Sequence, residues 1–207
     1  MNLKIHLKPF IYLNIAFFVV VIVETVAHEF GHYLVAEMLG YHARLHFGST
    51  TWSRGVLDTE VVKWNHFLIT LGGPQLTVTA GTAGLFFLVL YGKAFPKKMP
   101  SFKQWVLIFT SLFWLRQGSN LMVMILLFIK TGNFKFKSDE IKLTQYLNFP
   151  PFTLTFVSSF ISLVVFVYVV RTYVPKFLQL TFVAASLIGG ISGYVLWLHG
   201  FGKYILP

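Results

Sequence analysis

The sequence His28-Glu29-Phe30-Gly31-His32 lies inside a long apolar stretch, residues 10–39, whose length and composition predict a membrane helix. Residues four apart share one face of an α-helix, so His28 and His32 can offer two imidazoles to one zinc ion. Glu29 lies beside them and can act as a general base. Ionisable side chains are costly in hydrocarbon and usually have partners and a function there. The pattern therefore predicts a hydrolytic metal site on the first membrane span.

Another acidic residue, Glu24, lies within the same apolar run, one helical turn before His28. Its carboxylate could hydrogen-bond the His28 imidazole and orient it as a ligand. A carboxyl group that faces water, or that is neutral, is an equally good interpretation.

The composition excludes an ordinary soluble domain. The 207 residues are 56% hydrophobic and only 12% charged, and the mean hydropathy is +0.69. The chain has no cysteine, so any zinc must be held by His, Asp or Glu. The net charge of +10 does not indicate a nucleic-acid partner, because the basic residues lie in short loops where they meet lipid headgroups.

Four further apolar runs follow the first, and each has about the 20 residues that a membrane helix needs. The predicted fold is therefore an all-α polytopic membrane protein with about five transmembrane helices. We expect one domain over residues 1–207, with a core over about 10–150 and two additional C-terminal helices within 152–198. The four runs are residues 66–91, 104–129, 152–170 and 177–198.

The segment 41–63, between the first two spans, breaks the helical pattern. Apolar residues alternate with polar ones over 41–47, and residues 56–62 also have an extended pattern, which predicts a small β-hairpin or sheet. On a strand, His42 and His46 would be roughly 13 Å apart, too far to share one zinc ion. An exposed edge strand could hold a substrate peptide in extended form through backbone hydrogen bonds.

A zinc site needs a third protein ligand, and the segment 130–151 returns to the same end of the bundle as His28 and His32. Its only acids are Asp139 and Glu140, and Ser138 precedes them as a predicted helix N-cap. Asp139 is the first candidate because a helix N-terminus favours an ionised carboxylate, and Glu140 is the second. Asp58 and Glu60 are weaker candidates. Alternatively, Asp139 and Glu140 are solvated acids among neighbouring lysines.

Three segments together resemble the site-2 protease family of intramembrane zinc metalloproteases. The first is Val26-Ala27-His28-Glu29-Phe30-Gly31-His32, the second is Leu71-Gly72-Gly73-Pro74, and the third contains Asp139. The resemblance implies a three-helix core in which His28, His32 and Asp139 bind one zinc ion. It also implies that Glu29 activates water for hydrolysis of a peptide bond in or near a transmembrane substrate segment.

The sequence departs from this family around Asp139, which has neither the following glycine nor the nearby preceding proline of the family pattern. The family also has an asparagine that contacts the substrate or the oxyanion, and Asn120 is the candidate here, with Asn133 as an alternative. A hydrogen bond of Asn120 to Arg116, Gln117 or Ser119 is the competing interpretation. Gly72, Gly73 and Pro74 are candidates for substrate access. The glycines also permit close helix packing and the proline kinks the span, and this structural interpretation is compatible with substrate access.

An intramembrane zinc metalloprotease is thus the expected function. A membrane scaffold or chaperone that binds transmembrane segments without cleaving them is the alternative, although it would not need Glu29. A metal transporter or di-iron oxidase fits less well, because only seven histidines are present.

The resemblance implies that the end of the bundle with the zinc site faces the cytoplasm, and we expect the membrane to be the bacterial cytoplasmic membrane. The number of Lys and Arg residues is equal at the two ends of the bundle, so the positive-inside rule gives no orientation. We expect any regulation to come from a separate membrane protein.

Overall fold

The computed structural model describes residues 4–53, 59–133 and 137–207, with side chains omitted at 59 and 60. Within these ranges, five helical segments are long and apolar enough to cross a membrane, which confirms the predicted fold class. The chain is accordingly a multi-pass membrane protein. The five segments are Leu7–Met38, Val61–Tyr91, Phe102–Thr131, Thr153–Tyr173 and Gln179–Ile205.

The first two spans are formed by the long helices α1 (Leu7–Met38) and α2 (Thr59–Tyr91). The third span consists of α3 (Phe102–Ser111), a 3₁₀ turn and α4 (Leu115–Thr131), and it leads to a short helix, α5 (Asp139–Tyr146). The remaining spans are α6 (Thr153–Tyr173) and α7 (Gln179–Leu196), and α7 continues through a π-helical turn into α8 (Gly202–Ile205).

The helices are apolar on nearly every side, which is expected where lipid replaces water around a bundle. The interior contains a cluster of aromatic rings, with Phe17 5.2 Å from Phe109 and 5.0 Å from Phe182 between ring centroids. Large apolar side chains such as Phe160, which is 67% exposed, cover the outside. In the interior, α1 packs against α2 and α7, α3 against α2, and α4 against α6.

The hairpin between α1 and α2 is formed by β1 (His42–His46) and β2 (Ser49–Ser53), which pair antiparallel around a two-residue turn. The predicted hairpin is therefore confirmed, but its second strand lies earlier than the extended pattern at 56–62 indicated. The prediction of extended structure is wrong for residues 59–62, because α2 already begins at Thr59. Propagation of a long helix overrides the β-propensity of Val61 and Val62. Residues 54–58 lie outside the described ranges.

The C-terminal residues hold the hairpin turn against the bundle. The backbone N–H of Phe47 donates to the Leu206 carbonyl at 2.9 Å, and Nε1 of Trp197 donates to the Phe47 carbonyl at 2.6 Å. These bonds place the sheet at one end of the bundle, next to the second half of α1. We call this end the site end and the opposite one, where α1 begins, the N-terminal end.

Candidate metal centre

Three side chains from two distant segments converge at the site end. Nε2 of His28 lies 3.3 Å from Nε2 of His32, and both nitrogens approach Oδ2 of Asp139, at 3.1 and 3.2 Å respectively. All three residues belong to one group that could hold a metal ion. His28 and His32 share a face of α1, as their spacing predicts, whereas Asp139 arrives at the first position of α5.

The orientation of His32 is fixed by α2. Its Nδ1 lies 2.6 Å from the backbone carbonyl oxygen of Ile69 and 3.3 Å from the amide nitrogen of Gly73. The shorter contact requires Nδ1–H as donor, because a carbonyl oxygen can only accept. The Nε2 lone pair of His32 then faces His28 and Asp139. A hydrogen bond from the other ring nitrogen to a backbone carbonyl is the usual way to fix a metal-binding histidine.

Asp139 divides its carboxylate between two contacts. Oδ2 faces the two histidines, and Oδ1 accepts a hydrogen bond from Nζ of Lys142 at 3.2 Å, one helical turn later. Burial raises the pKa of Asp139, but its close contacts with the His28 and His32 imidazoles outweigh burial and hold the pKa of this carboxyl well below its usual range. These contacts favour the ionised form of Asp139, which is the form that binds a cation.

Glu29 lies beside the metal-binding group and is tied to the sheet. Its side chain is 6% exposed, and its Oε2 accepts a hydrogen bond from Oγ1 of Thr50 at 3.2 Å. The same hydroxyl lies 2.8 Å from the backbone carbonyl oxygen of Glu29. Sequence reasoning missed Thr50, because only the hairpin register brings this β2 residue against α1.

The adjacent glycines Gly72 and Gly73 of α2 have two different roles. A side chain at Gly72 would collide with the Gly31 backbone, so this pair allows α1 and α2 to approach closely, as the packing interpretation predicts. A Cβ at Gly73 would instead collide with Nε2 of both His32 and His28. Gly73 therefore leaves the space in which the two imidazole nitrogens meet. Pro74 lies inside α2 without ending it.

Asn120 contacts the helix that carries Asp139. Its Nδ2 donates to both carboxylate oxygens of Glu140 at 3.0 Å, and its Oδ1 accepts from Nη1 of Arg116 at 3.1 Å. The bond to Arg116 is the competing interpretation given above. Glu140, the second candidate for the third ligand, is 3% exposed and faces Asn120, outside the metal-binding group.

The remaining candidates lie apart from this group. Oε1 of Glu24 and Nδ1 of His28 are both buried without a hydrogen-bond partner in the described ranges, so the direct bond considered above is not formed. Asp58 and the side chain of Glu60 lie outside the described residues. His46 contacts Pro207 and Thr51, while Asn133 hydrogen-bonds the Thr131 backbone.

The donor set fits a zinc ion. Ligand atoms about 2.0–2.1 Å from zinc at tetrahedral angles are about 3.3 Å apart, which is close to the three distances among His28, His32 and Asp139. Two lone pairs and a carboxylate oxygen that face one another at this range repel unless a cation or a proton lies between them. The three side chains thus form a group that could hold a metal ion.

No family model, curated protein or solved structure matches this chain.

Proposed function

We propose that this chain is an intramembrane zinc metalloprotease of the site-2 protease type, hydrolysing a peptide bond in or near a transmembrane segment of a protein substrate. The convergence of His28, His32 and Asp139 beside Glu29 carries the proposal. All four side chains lie at one end of a bundle with five apolar spans. A carboxylate next to a two-histidine, one-aspartate site is the arrangement used for metal-assisted hydrolysis.

Zinc is the proposed metal because the donors are two imidazoles and one carboxylate, and three protein ligands are typical of a catalytic zinc site. His28, His32 and Asp139 would hold one ion per chain. When bound, zinc supplies Lewis acidity, which polarises a carbonyl and makes water acidic enough to attack near neutral pH.

Glu29 moves the proton in the proposed reaction. Its carboxylate accepts a proton from the attacking water as the new C–O bond forms, and then donates it to the amine nitrogen as the C–N bond breaks. The Thr50 hydroxyl donates to Oε2, which leaves Oε1 as the oxygen that would accept the proton. The Ile69 carbonyl keeps the His32 ring in place during the same steps.

The hairpin is the proposed substrate-binding element. A substrate helix hides its peptide bonds in internal hydrogen bonds and must unwind before hydrolysis, so its freed backbone groups need new partners. The register pairs Leu45 with Thr50 next to the turn pair His46–Ser49. Because hydrogen-bonded and open pairs alternate, the backbone N–H and C=O of Thr50 point away from β1. An extended substrate on this edge would lie next to Glu29.

We further propose, from the family resemblance, that the zinc site lies towards the cytoplasmic face of a bacterial membrane. Regulation by a separate membrane protein belongs to the same proposal. The substrate and the bilayer are the partners on which the mechanism depends.

The experiment that tests the proposal compares the parent with Glu29→Gln, in detergent or vesicles, against a library of single-span substrates. We expect the variant to lose at least a hundredfold in kcat, because a neutral amide cannot accept the water proton. Zinc content should stay near one ion per chain, because Glu29 is not a ligand. A parent that binds transmembrane segments without cleaving any, with an unchanged variant, would replace the protease with a scaffold.

A further inference from the structure

The N-terminal end of the bundle carries cations without acids. All seven Asp and Glu residues of the chain lie at positions 24–60 or 139–140, outside the segments that form this end. The N-terminal end therefore has a strongly positive surface, whereas cations at the site end are interspersed with acids. The cations of the N-terminal end are Lys4, Lys8, Lys93, Lys97, Lys98, Lys103, Arg171 and Lys176.

Half of these cations surround one groove between α2 and α3. The groove has a volume of about 1100 Å³, and its lining combines four lysines with exposed apolar side chains. We call it the basic groove, and define it by Tyr91, Lys93, Lys97, Lys98, Met99, Phe102 and Lys103.

The four lysines of the basic groove have no carboxylate partner. Across the described ranges, Lys142 at the site end is the only lysine that forms an ion pair. Four ammonium groups around one groove repel one another, and the repulsion is stronger beside a low-dielectric bilayer than in water. Anions that bind in the groove would relieve this repulsion, so the charge pattern indicates an anionic ligand.

The connection between α2 and α3 is held by specific contacts. Nε2 of Gln104 donates to the Lys93 carbonyl at 3.0 Å, and the N–H of Phe95 donates to the Thr172 carbonyl at 2.5 Å. Ser101 caps α3 by accepting a hydrogen bond from the Gln104 amide at 3.3 Å. These bonds fix the groove to the ends of α3 and α6 rather than leaving it as an open loop.

The groove also joins the last turn of one apolar span to the first turn of the next, so we expect it to lie at the boundary of the bilayer that these spans cross. Tyr91 is 74% exposed and Phe102 is 81% exposed, and aromatic residues in this position are typical of the headgroup layer. A ligand in the groove thus meets ammonium groups on one side and apolar rings on the other. A free inorganic anion would use only the first of these features.

We propose that the basic groove binds anionic phospholipids, with the phosphate among Lys93, Lys97, Lys98 and Lys103 and the acyl chains along Tyr91 and Phe102. Membrane-surface lysines each contribute about 1 kcal/mol to attraction to anionic lipid, which is about fivefold in affinity. The groove is at the opposite end of the bundle from His28, so this proposal stands independently of the protease.

The test titrates the full-length protein, stripped of lipid in detergent, with phosphatidylglycerol or phosphatidylcholine and counts bound lipid by native mass spectrometry. We expect the parent to bind phosphatidylglycerol at least tenfold more tightly. The triple variant Lys97→Gln, Lys98→Gln, Lys103→Gln should lose this preference. The matched control removes three charges at the site end, by Lys130→Gln, Lys137→Gln and Lys203→Gln, and should keep it.

Equal affinity of the parent for the two lipids, or equal losses in the two triple variants, would overturn the proposal. Inorganic phosphate that competes at the same concentration as phosphatidylglycerol would assign the groove to a free anion and overturn it as well. Thermal unfolding checks that each variant is folded. If the triple variant fails this check, the three single substitutions replace it, each with an expected loss of about fivefold.

Discussion

Two adjacent acids, Asp139 and Glu140, differ in what they contact. Asp139 faces His28 and His32, while Glu140, the next residue of α5, faces the Asn120 amide. Consecutive helical residues point about 100° apart, so one carboxylate can reach the metal position while its neighbour anchors the helix. We therefore predict that Asn120 positions Asp139 through Glu140.

Asn120→Ala should weaken metal binding by roughly tenfold to a hundredfold, the range typical of residues that orient metal ligands. Glu140→Gln should weaken it less, because the Gln oxygen still accepts from Asn120. Competition with a zinc chelator measures the affinity, and the visible spectrum of the Co²⁺-loaded protein reports whether Asp139 still binds. Gln145→Ala, an exposed change on α5, is the control, and an effect as large as that of Asn120→Ala would refute the positioning role.

Gly73 lies where the two imidazoles meet, so its lack of a side chain matters more than its flexibility. Gly73→Ala should reduce metal affinity at least tenfold, because the added Cβ would displace Nε2 of His32 and His28. Gly190→Ala on α7, where an added Cβ meets nothing within 4 Å, is the matched control. Zinc content after dialysis checks both. Unchanged zinc in Gly73→Ala would show that α2 can move away from α1 without loss of the site.

Among the secondary-structure elements, the hairpin would connect substrate binding to catalysis through Thr50 in the proposed protease. The Thr50 side chain contacts Glu29, and the Thr50 backbone N–H points away from β1, outward from the free edge of β2. The two roles can be separated, because one depends on the hydroxyl and the other on the amide.

Thr50→Val removes only the hydroxyl and should lower kcat by roughly tenfold, the cost of losing a hydrogen bond to a charged group. Thr50→Pro removes the hydroxyl and the edge amide together, and proline is tolerated where the N–H points away from the ladder. We therefore expect Thr50→Pro to lower kcat as Thr50→Val does and also to raise KM, because the substrate would lose its backbone hydrogen bond to the edge amide. Steady-state kinetics on one substrate measure both constants. Identical KM values for the two variants would exclude β2 as the substrate edge.

For the whole molecule, the metal-binding group joins α1 to α5, which are far apart in sequence. A metal that binds only the folded state adds about 2.7 kcal/mol at one hundred times its dissociation constant. Chelation should therefore lower the unfolding temperature of the parent by several degrees. Asp139→Ala should show a much smaller change. A parent that unfolds at the same temperature with and without chelator would argue that no metal connects the two helices.

Much of the architecture followed from local pattern. Apolar runs of about 20 residues predict membrane helices because each must satisfy its own backbone in lipid, and five spans were found where five were predicted. The Ser138 cap and the start of α5 were also predictable. The second strand was not, because Ser49–Ser53 has a weak strand pattern and depends on pairing with β1.

The five spans, the first strand of the hairpin and the placement of His28, Glu29 and His32 on one helix were predictable, since all of these depend on residues close in the chain. Three contacts come from the folded arrangement alone: Asp139 rather than Glu140 meets the histidines, Thr50 holds Glu29, and Asn120 anchors α5. Those contacts join residues from 20 to more than 100 positions apart. Helix packing and strand register set such distances, and no local pattern encodes them.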